Sequence, residues 1–151
     1  MIITRFTEKD LSSLGNLFTQ FWGESSQIEK MRISYQKISD NPSYILLAAK
    51  QEDDLVGFGM GIICEELYGD CKPFMVIEDL IVDKNQRRSG IGSDLIQELE
   101  KQAIANNCCQ IIFVTETDRS DAQRFYKSLG YKSEPYKGFK KKIESGQQIK
   151  D

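Results

Sequence analysis

The stretch Glu78-Asp79-Leu80-Ile81-Val82-Asp83-Lys84-Asn85-Gln86-Arg87-Arg88-Ser89-Gly90-Ile91-Gly92-Ser93 concentrates residues that could do chemistry. An apolar run carrying two carboxylates leads into a basic turn punctuated by glycine. Gly90 and Gly92 lack a Cβ, so the backbone there can crowd a ligand and aim successive N–H groups at it. Ile91, Leu95, Leu99 and Ala103 then recur one turn apart, which predicts a helix that begins at this turn. A helix N-terminus offers unpaired donors and the positive end of its dipole, and Arg87 and Arg88 add two fixed charges. The chemistry predicted is the cradling of a diphosphate.

Other glycine loops share this logic and are excluded by their own requirements. The Walker pattern needs Gly-Lys-Ser/Thr at its second glycine, whereas Ser93-Asp94 follow Gly92. The dinucleotide fingerprint needs a third glycine where Leu95 stands. What remains is Arg-x-x-Gly-x-Gly behind a strand ending Glu-Asp-Leu-Ile-Val-Asp. It resembles the coenzyme A-binding motif of the GCN5-related N-acetyltransferase superfamily. A second segment, Arg119-Ser120-Asp121-Ala122-Gln123-Arg124-Phe125-Tyr126-Lys127-Ser128-Leu129-Gly130-Tyr131, resembles the superfamily's helix ending Phe/Leu-Tyr-x-x-x-Gly-Phe/Tyr, in its Arg-x-x-Ala-x-x-Phe-Tyr subgroup. Two positions depart from the commoner patterns. Arg119 stands where the family often has Asn, and Gln123 stands where the subgroup usually has His.

The resemblance implies acetyl-CoA as acyl donor, and no metal is expected of a chain without histidine or zinc-site cysteine spacing. It implies that main-chain groups of Leu80, Ile81 and Val82 hold pantetheine, and that Arg87, Arg88, Ser89, Gly90, Ile91, Gly92 and Ser93 hold the diphosphate. Tyr126 resembles the tyrosine that protonates the departing thiolate, a step eased by any acid within hydrogen-bond reach. The competing reading makes Tyr126 a core aromatic, since Phe125, Tyr126 and Leu129 share a helix face. Arg119 contacts cofactor or caps the helix region, and both remain open.

An amine acceptor is an ammonium at neutral pH and must lose a proton before it attacks. The chain has no histidine, so the base is a carboxylate, a tyrosine, a cysteine or water. In a regular strand Glu78 shares a face with Leu80 and Val82, and Asp79 points the other way with Ile77 and Ile81. A bulge, typical of the superfamily here, makes either carboxylate available. Glu78 resembles the acid used by several members. Asp79 and solvent are the alternatives.

At 151 residues with 40% hydrophobic and 28% charged residues, the chain fits one globular domain. The formal net charge of −3 argues against a general nucleic-acid binder. No apolar run approaches the roughly 20 residues that span a bilayer, and Met1–Phe6 is short for a signal peptide. A cytoplasmic protein is expected. Cys64, Cys71, Cys108 and Cys109 show no Cys-x-x-Cys spacing, and Cys108-Cys109 read as small residues entering a strand.

Those motifs need elements to position them. Ile2 to Phe6 reads as a strand, and Thr7 caps a helix along which Leu11, Leu14, Phe18, Phe21 and Trp22 recur. Ile28, Met31, Tyr35 and Ile38 predict a second helix, stopped at Asp40-Asn41-Pro42. Tyr44 to Ala49 and Leu55 to Cys64 predict a hairpin, and Pro73 to Val82 the strand entering the cradle. Gln110 to Thr115 predicts a further strand. Ser120 or Asp121 starts a helix ended by Gly130, and Phe139 to Ile143 could close the sheet at an edge.

This order matches the superfamily's α/β (α+β) fold: a mixed, mostly antiparallel sheet with splayed strands 4 and 5 and about four helices. An acetyltransferase domain over 1–143 and a polar tail over 144–151 are expected. The function expected is acetyl transfer from acetyl-CoA to a primary amine of a small molecule, by direct attack in a ternary complex. Acetylation of a protein lysine or N-terminus, or non-catalytic acyl-CoA binding, are the alternatives. Neither nucleic acid nor membrane is an expected partner, and a homodimer is left open.

Overall fold

The computed structural model describes residues 1–144. The chain divides into two compact units, Met1–Phe113 and Val114–Asp151. The first contains β1 (Ile2–Arg5), a 3-10 turn (Glu8–Asp10), α1 (Leu11–Trp22), α2 (Ile28–Ile38), β2 (Tyr44–Gln51), β3 (Asp54–Cys64), β4 (Phe74–Val82), α3 (Ile91–Ala105) and β5 (Ile111–Ile112). The second contains α4 (Ser120–Ser128). The five strands form one sheet in the order β1-β2-β3-β4-β5. Pairing is antiparallel as far as β4 and parallel between β4 and β5. This is the mixed α/β architecture that the sequence predicts.

The chain enters α1 through a tied corner. The Thr7 N–H and hydroxyl each donate to the Asp10 carboxylate at 2.9 Å, the reach-back half of a capping box. Lys50 of β2 meets the same buried carboxylate at 2.6 Å. Beyond the corner, Leu11, Leu14 and Leu17 of α1 join Phe6, Leu46, Ala48, Leu55, Phe58 and Ile81 in a buried cluster. Met31, Tyr35 and Ile38 of α2 pack against it half-buried. Trp22, expected on the apolar side of α1, is 56% exposed. Its neighbours Phe18 and Phe21 pack against the cluster, and the Trp22 ring lies against theirs at 5.3 and 4.7 Å.

The opposite face belongs to α3, whose Ile91, Leu95, Ile96, Leu99 and Ala103 are all buried. Close approach is possible because Gly57, Gly59 and Gly61 alternate along β3 and turn bare backbone toward the helix. A Cβ on Gly57 would stand 3.0 Å from Ile91 Cγ2 and 3.1 Å from Leu95 Cδ1, and one on Gly61 would stand 3.0 Å from Leu99 Cδ2. The glycine repeat is period-two in the sequence, and it sets the height of the helix above the sheet.

Two expected strands differ. The strand predicted over Gln110–Thr115 is only Ile111–Ile112, paired to Met75 and Val76. β4 therefore runs on past β5, which is where the two strands part. The edge strand expected over Phe139–Ile143 is not formed, and none of the described residues from 131 on is in a strand. Phe139 and Ile143 are 91% and 76% exposed, and Lys140, Lys141 and Lys142 place like charges on both would-be faces. Such a segment has no apolar face to bury.

Candidate active site

Along β4 the register with β3 runs Gly61↔Ile77 and Met60↔Glu78, then resumes at Phe58↔Ile81 and Gly57↔Val82. Asp79 and Leu80 together oppose the single residue Gly59, which defines a β-bulge. Asp79 takes the left-handed φ of 54°, a costly conformation for a residue with a Cβ. The extra residue exchanges the faces of the strand. Before the bulge Ile77 shares the α3 face with Gly61, and Glu78 shares the α1 face with Met60. After it Leu80 lies on the α3 face, 3.2 Å from a Cβ on Gly59, and Ile81 joins the α1 cluster. Glu78 thus stands on the face opposite Leu80 and Val82, where an unbroken strand would have grouped the three.

The two carboxylates differ in surroundings. Glu78 is exposed and Asp79 half-buried. Burial pushes the Asp79 carboxyl above its ordinary range, and the neighbouring charge of Glu78 pushes it the same way.

The turn after β4 is the segment for which the sequence predicts a diphosphate cradle. Arg87 and Arg88 are exposed, and Arg88 and Gly90 take left-handed φ values of 63° and 91°. Arg87 Nε donates to the Val82 carbonyl at 3.4 Å, and the Ser89 hydroxyl donates to the Gln86 carbonyl. Gly90 occupies the cap position of α3, and the first intrahelical bond runs from Asp94 N–H to its carbonyl at 3.0 Å. The N–H groups of Ile91, Gly92 and Ser93 precede that bond, so they face the space before the helix. Among the described residues no atom outside the immediate chain lies within 4 Å of a Cβ built on Gly90. Open space, aligned donors and two guanidinium groups suit a diphosphate. Ile91 keeps its side chain buried in the core, so only its backbone can serve the ligand.

In the second unit Arg119 sits at the cap position of α4, and its carbonyl accepts the Gln123 N–H at 3.1 Å. The Gln123 side chain, at the position where the subgroup usually has His, donates to the Thr117 carbonyl at 2.8 Å. It closes the loop before the helix. Tyr126 is half-buried between ring contacts to Phe125 at 5.1 Å and Tyr131 at 6.4 Å. Burial raises its phenol above the ordinary value, and the charge of Arg119 opposes that rise. Gly130 takes the expected left-handed φ at 90°.

The model for the acetyltransferase (GNAT) family matches residues 11–131. No curated protein sequence matches. Among solved structures, a protein described as an acetyltransferase from Agrobacterium tumefaciens str. C58 superposes with a TM-score of 0.88 at 17% identity, over 95% of this chain and 100% of that one. Glucosamine-6-phosphate N-acetyltransferase from Arabidopsis thaliana gives 0.78 at 17%, over 93% and 97%. An aminoglycoside acetyltransferase from an uncultured soil metagenomic sample, in complex with sisomicin, gives 0.78 at 24%, over 95% and 96%. At these identities the likeness is one of fold.

Proposed function

The chain belongs to the acetyltransferase (GNAT) family, and on that premise we propose that it moves an acetyl group from acetyl-CoA to the primary amine of a small molecule, by direct attack in a ternary complex. The observation that carries the reading is the cradle, where the left-handed Gly90 opens a helix N-terminus beside Arg87 and Arg88. Acetyl-CoA supplies the activated acyl group: a C–N bond to the amine forms as the C–S bond breaks.

Each candidate residue then has a task its chemistry suits. Arg87, Arg88, Ser89 and the N–H groups of Ile91, Gly92 and Ser93 hold the diphosphate. Backbone groups of Leu80, Ile81 and Val82, where β4 continues past β5, offer the amides of pantetheine a strand-like partner. Glu78, or Asp79 at the bulge, accepts the ammonium proton at a carboxylate oxygen. The raised phenol of Tyr126 holds its proton at neutral pH and releases it to the departing sulfur. Arg119 lies close enough to Tyr126 for its charge to act on that phenol. A small-molecule acceptor is favoured by the solved structures of similar fold, two of which are named as a glucosamine-6-phosphate and an aminoglycoside acetyltransferase.

The test is thiol release from acetyl-CoA in the presence of aminoglycosides, amino sugars, polyamines, aminophosphonates and peptides. Release that depends on a small amine is the expected outcome. Release with peptides alone would make the acceptor a protein. Coenzyme A binding with no release would leave a non-catalytic acyl-CoA-binding module.

A further inference from the structure

The turn that forms the cradle is held from outside by α1. Gln20 reaches it across a sequence separation of 63 residues, and its Nε2 donates to Asp83 Oδ2 at 3.1 Å. The same amide's Oε1 accepts the Lys84 N–H at 3.1 Å. Asp83 uses its other oxygen to accept the Asn85 N–H at 2.7 Å, and its backbone N–H bonds to the Val56 carbonyl at 2.9 Å. The Gln86 N–H returns to the Asp83 carbonyl at 2.9 Å. Gln86 in turn accepts the Ser89 hydroxyl, one residue before Gly90. A continuous run of bonds leads from α1 through Asp83, Gln86 and Ser89 into the cradle.

Such ties matter because the cradle is a poor conformation for a free chain. Arg88 is left-handed at 63°, which costs about 1 kcal/mol or more for a residue with a Cβ. A turn left to itself would spread over other shapes, and binding would have to collect it. Gln20 is itself exposed, and the buried residues of α1 are Leu11, Leu14, Gly15 and Leu17. Its amide therefore contributes little to the core.

We propose that Gln20 is the positioning residue of the diphosphate cradle: one amide, donor and acceptor together, fixes the Asp83 side chain and the Lys84 backbone. The direction in which Arg87 to Gly90 leave the strand follows. This rests on the reading of Arg87 to Ser93 as the diphosphate site.

Calorimetric titration of coenzyme A into wild type, Gln20→Ala, Gln20→Glu and Gln20→Glu combined with Asp83→Asn tests it, alongside the melting temperatures of the unliganded proteins. Gln20→Ala should weaken coenzyme A binding about ten-fold, the scale of one or two lost hydrogen bonds. The KM for acetyl-CoA should rise with it while kcat changes less than about two-fold, and the unliganded melting temperature should move by no more than about 2 °C. Gln20→Glu sets one carboxylate against another and should bind more weakly still. Adding Asp83→Asn restores a donor–acceptor pair in the reverse sense and should recover most of the loss. Wild-type affinity in Gln20→Ala would overturn the proposal, as would a double variant no better than Gln20→Glu or a melting temperature that collapses with the affinity. A wild-type chain that takes no coenzyme A would instead overturn the diphosphate reading, and needs no variant to detect.

Discussion

Around the cradle, α3 buries Ile91, Leu95, Ile96, Leu99 and Ala103, the first, second and fourth of them against bare backbone on β3, and each Ile or Leu is worth roughly 1.5–3 kcal/mol when fully removed from water. Around Tyr126 every residue of α4 is half-buried or exposed. The ties described there are the ring contacts of Tyr126 with Phe125 and Tyr131, the Gln123 bond to the Thr117 carbonyl, and the ion pairs of Arg124 with Asp121 and Lys140 with Glu116. In the first region the helix is positioned by packing and the turn before it by the bonds of Gln20 and Asp83, whereas no side chain of α4 is fully buried. A site residue in the first should fail through geometry, and one in the second through its own functional group.

The largest effect separating the two is expected at Gly90. Gly90→Val combines a left-handed φ with a side chain in the open space of the cradle, and should abolish the rise in melting temperature that coenzyme A gives by mass action. An undiminished rise would remove the diphosphate from this turn. Tyr126→Phe deletes one hydroxyl and nothing else. It should leave coenzyme A affinity nearly intact and lower turnover by roughly ten- to a thousand-fold. Full turnover would return Tyr126 to a packing role.

Stability should divide the regions in the same way. Gly57→Leu forces a side chain between Ile91 and Leu95 and should cost about 3 kcal/mol in denaturant unfolding. Gly138→Ala, whose Cβ would meet only Val114 Cγ2 at 4.0 Å among the described residues, should stay within about 0.5 kcal/mol. Equal losses would erase the distinction.

The smallest effects are in the pH dependence of stability. Burial alone would raise the Asp10 carboxyl, but the Lys50 hydrogen bond and the two bonds from Thr7 outweigh it and lower the value. Its stabilisation is present above the ordinary carboxylate value of about 4 and is lost as pH falls through the lowered folded value. Asp79 has the opposite sign: its raised carboxyl favours folding at low pH and gives that up as pH rises through the folded value. Asp10→Asn should therefore flatten the acid limb of a melting-temperature profile, and Asp79→Asn should raise the melting temperature near neutral pH. Parallel profiles for both variants and wild type would refute these assignments.

What the sequence makes legible follows the same division. The cradle can be read because glycine, arginine and helical periodicity each have one strong physical meaning there, and the residues expected to bury along α3 do so. The bulge is implied by the family resemblance and not by the residues alone, because Val76 to Val82 is apolar on both faces except at Glu78 and Asp79, and a two-faced strand hides a change of phase. Gln20 gives no signal: a lone amide on a polar helix face is ordinary until its partner 63 residues away is known. The glycines of β3 are visible at period two, but their meaning depends on which helix lies above them. Phe139 to Ile143 has apolar residues at its ends only, and the three lysines between them leave no face to bury.

The bulge carries one more consequence. Register and face agree on both sides of it, so Asp79 behaves as a spare letter in an otherwise continuous text. Striking it out would join Glu78 to Leu80 opposite Gly59, with every side chain still on its present face. A chain shortened by that one residue should fold at least as well, freed of a left-handed aspartate. The sheet can be spelled without Asp79, so any reason to retain it lies outside the sheet.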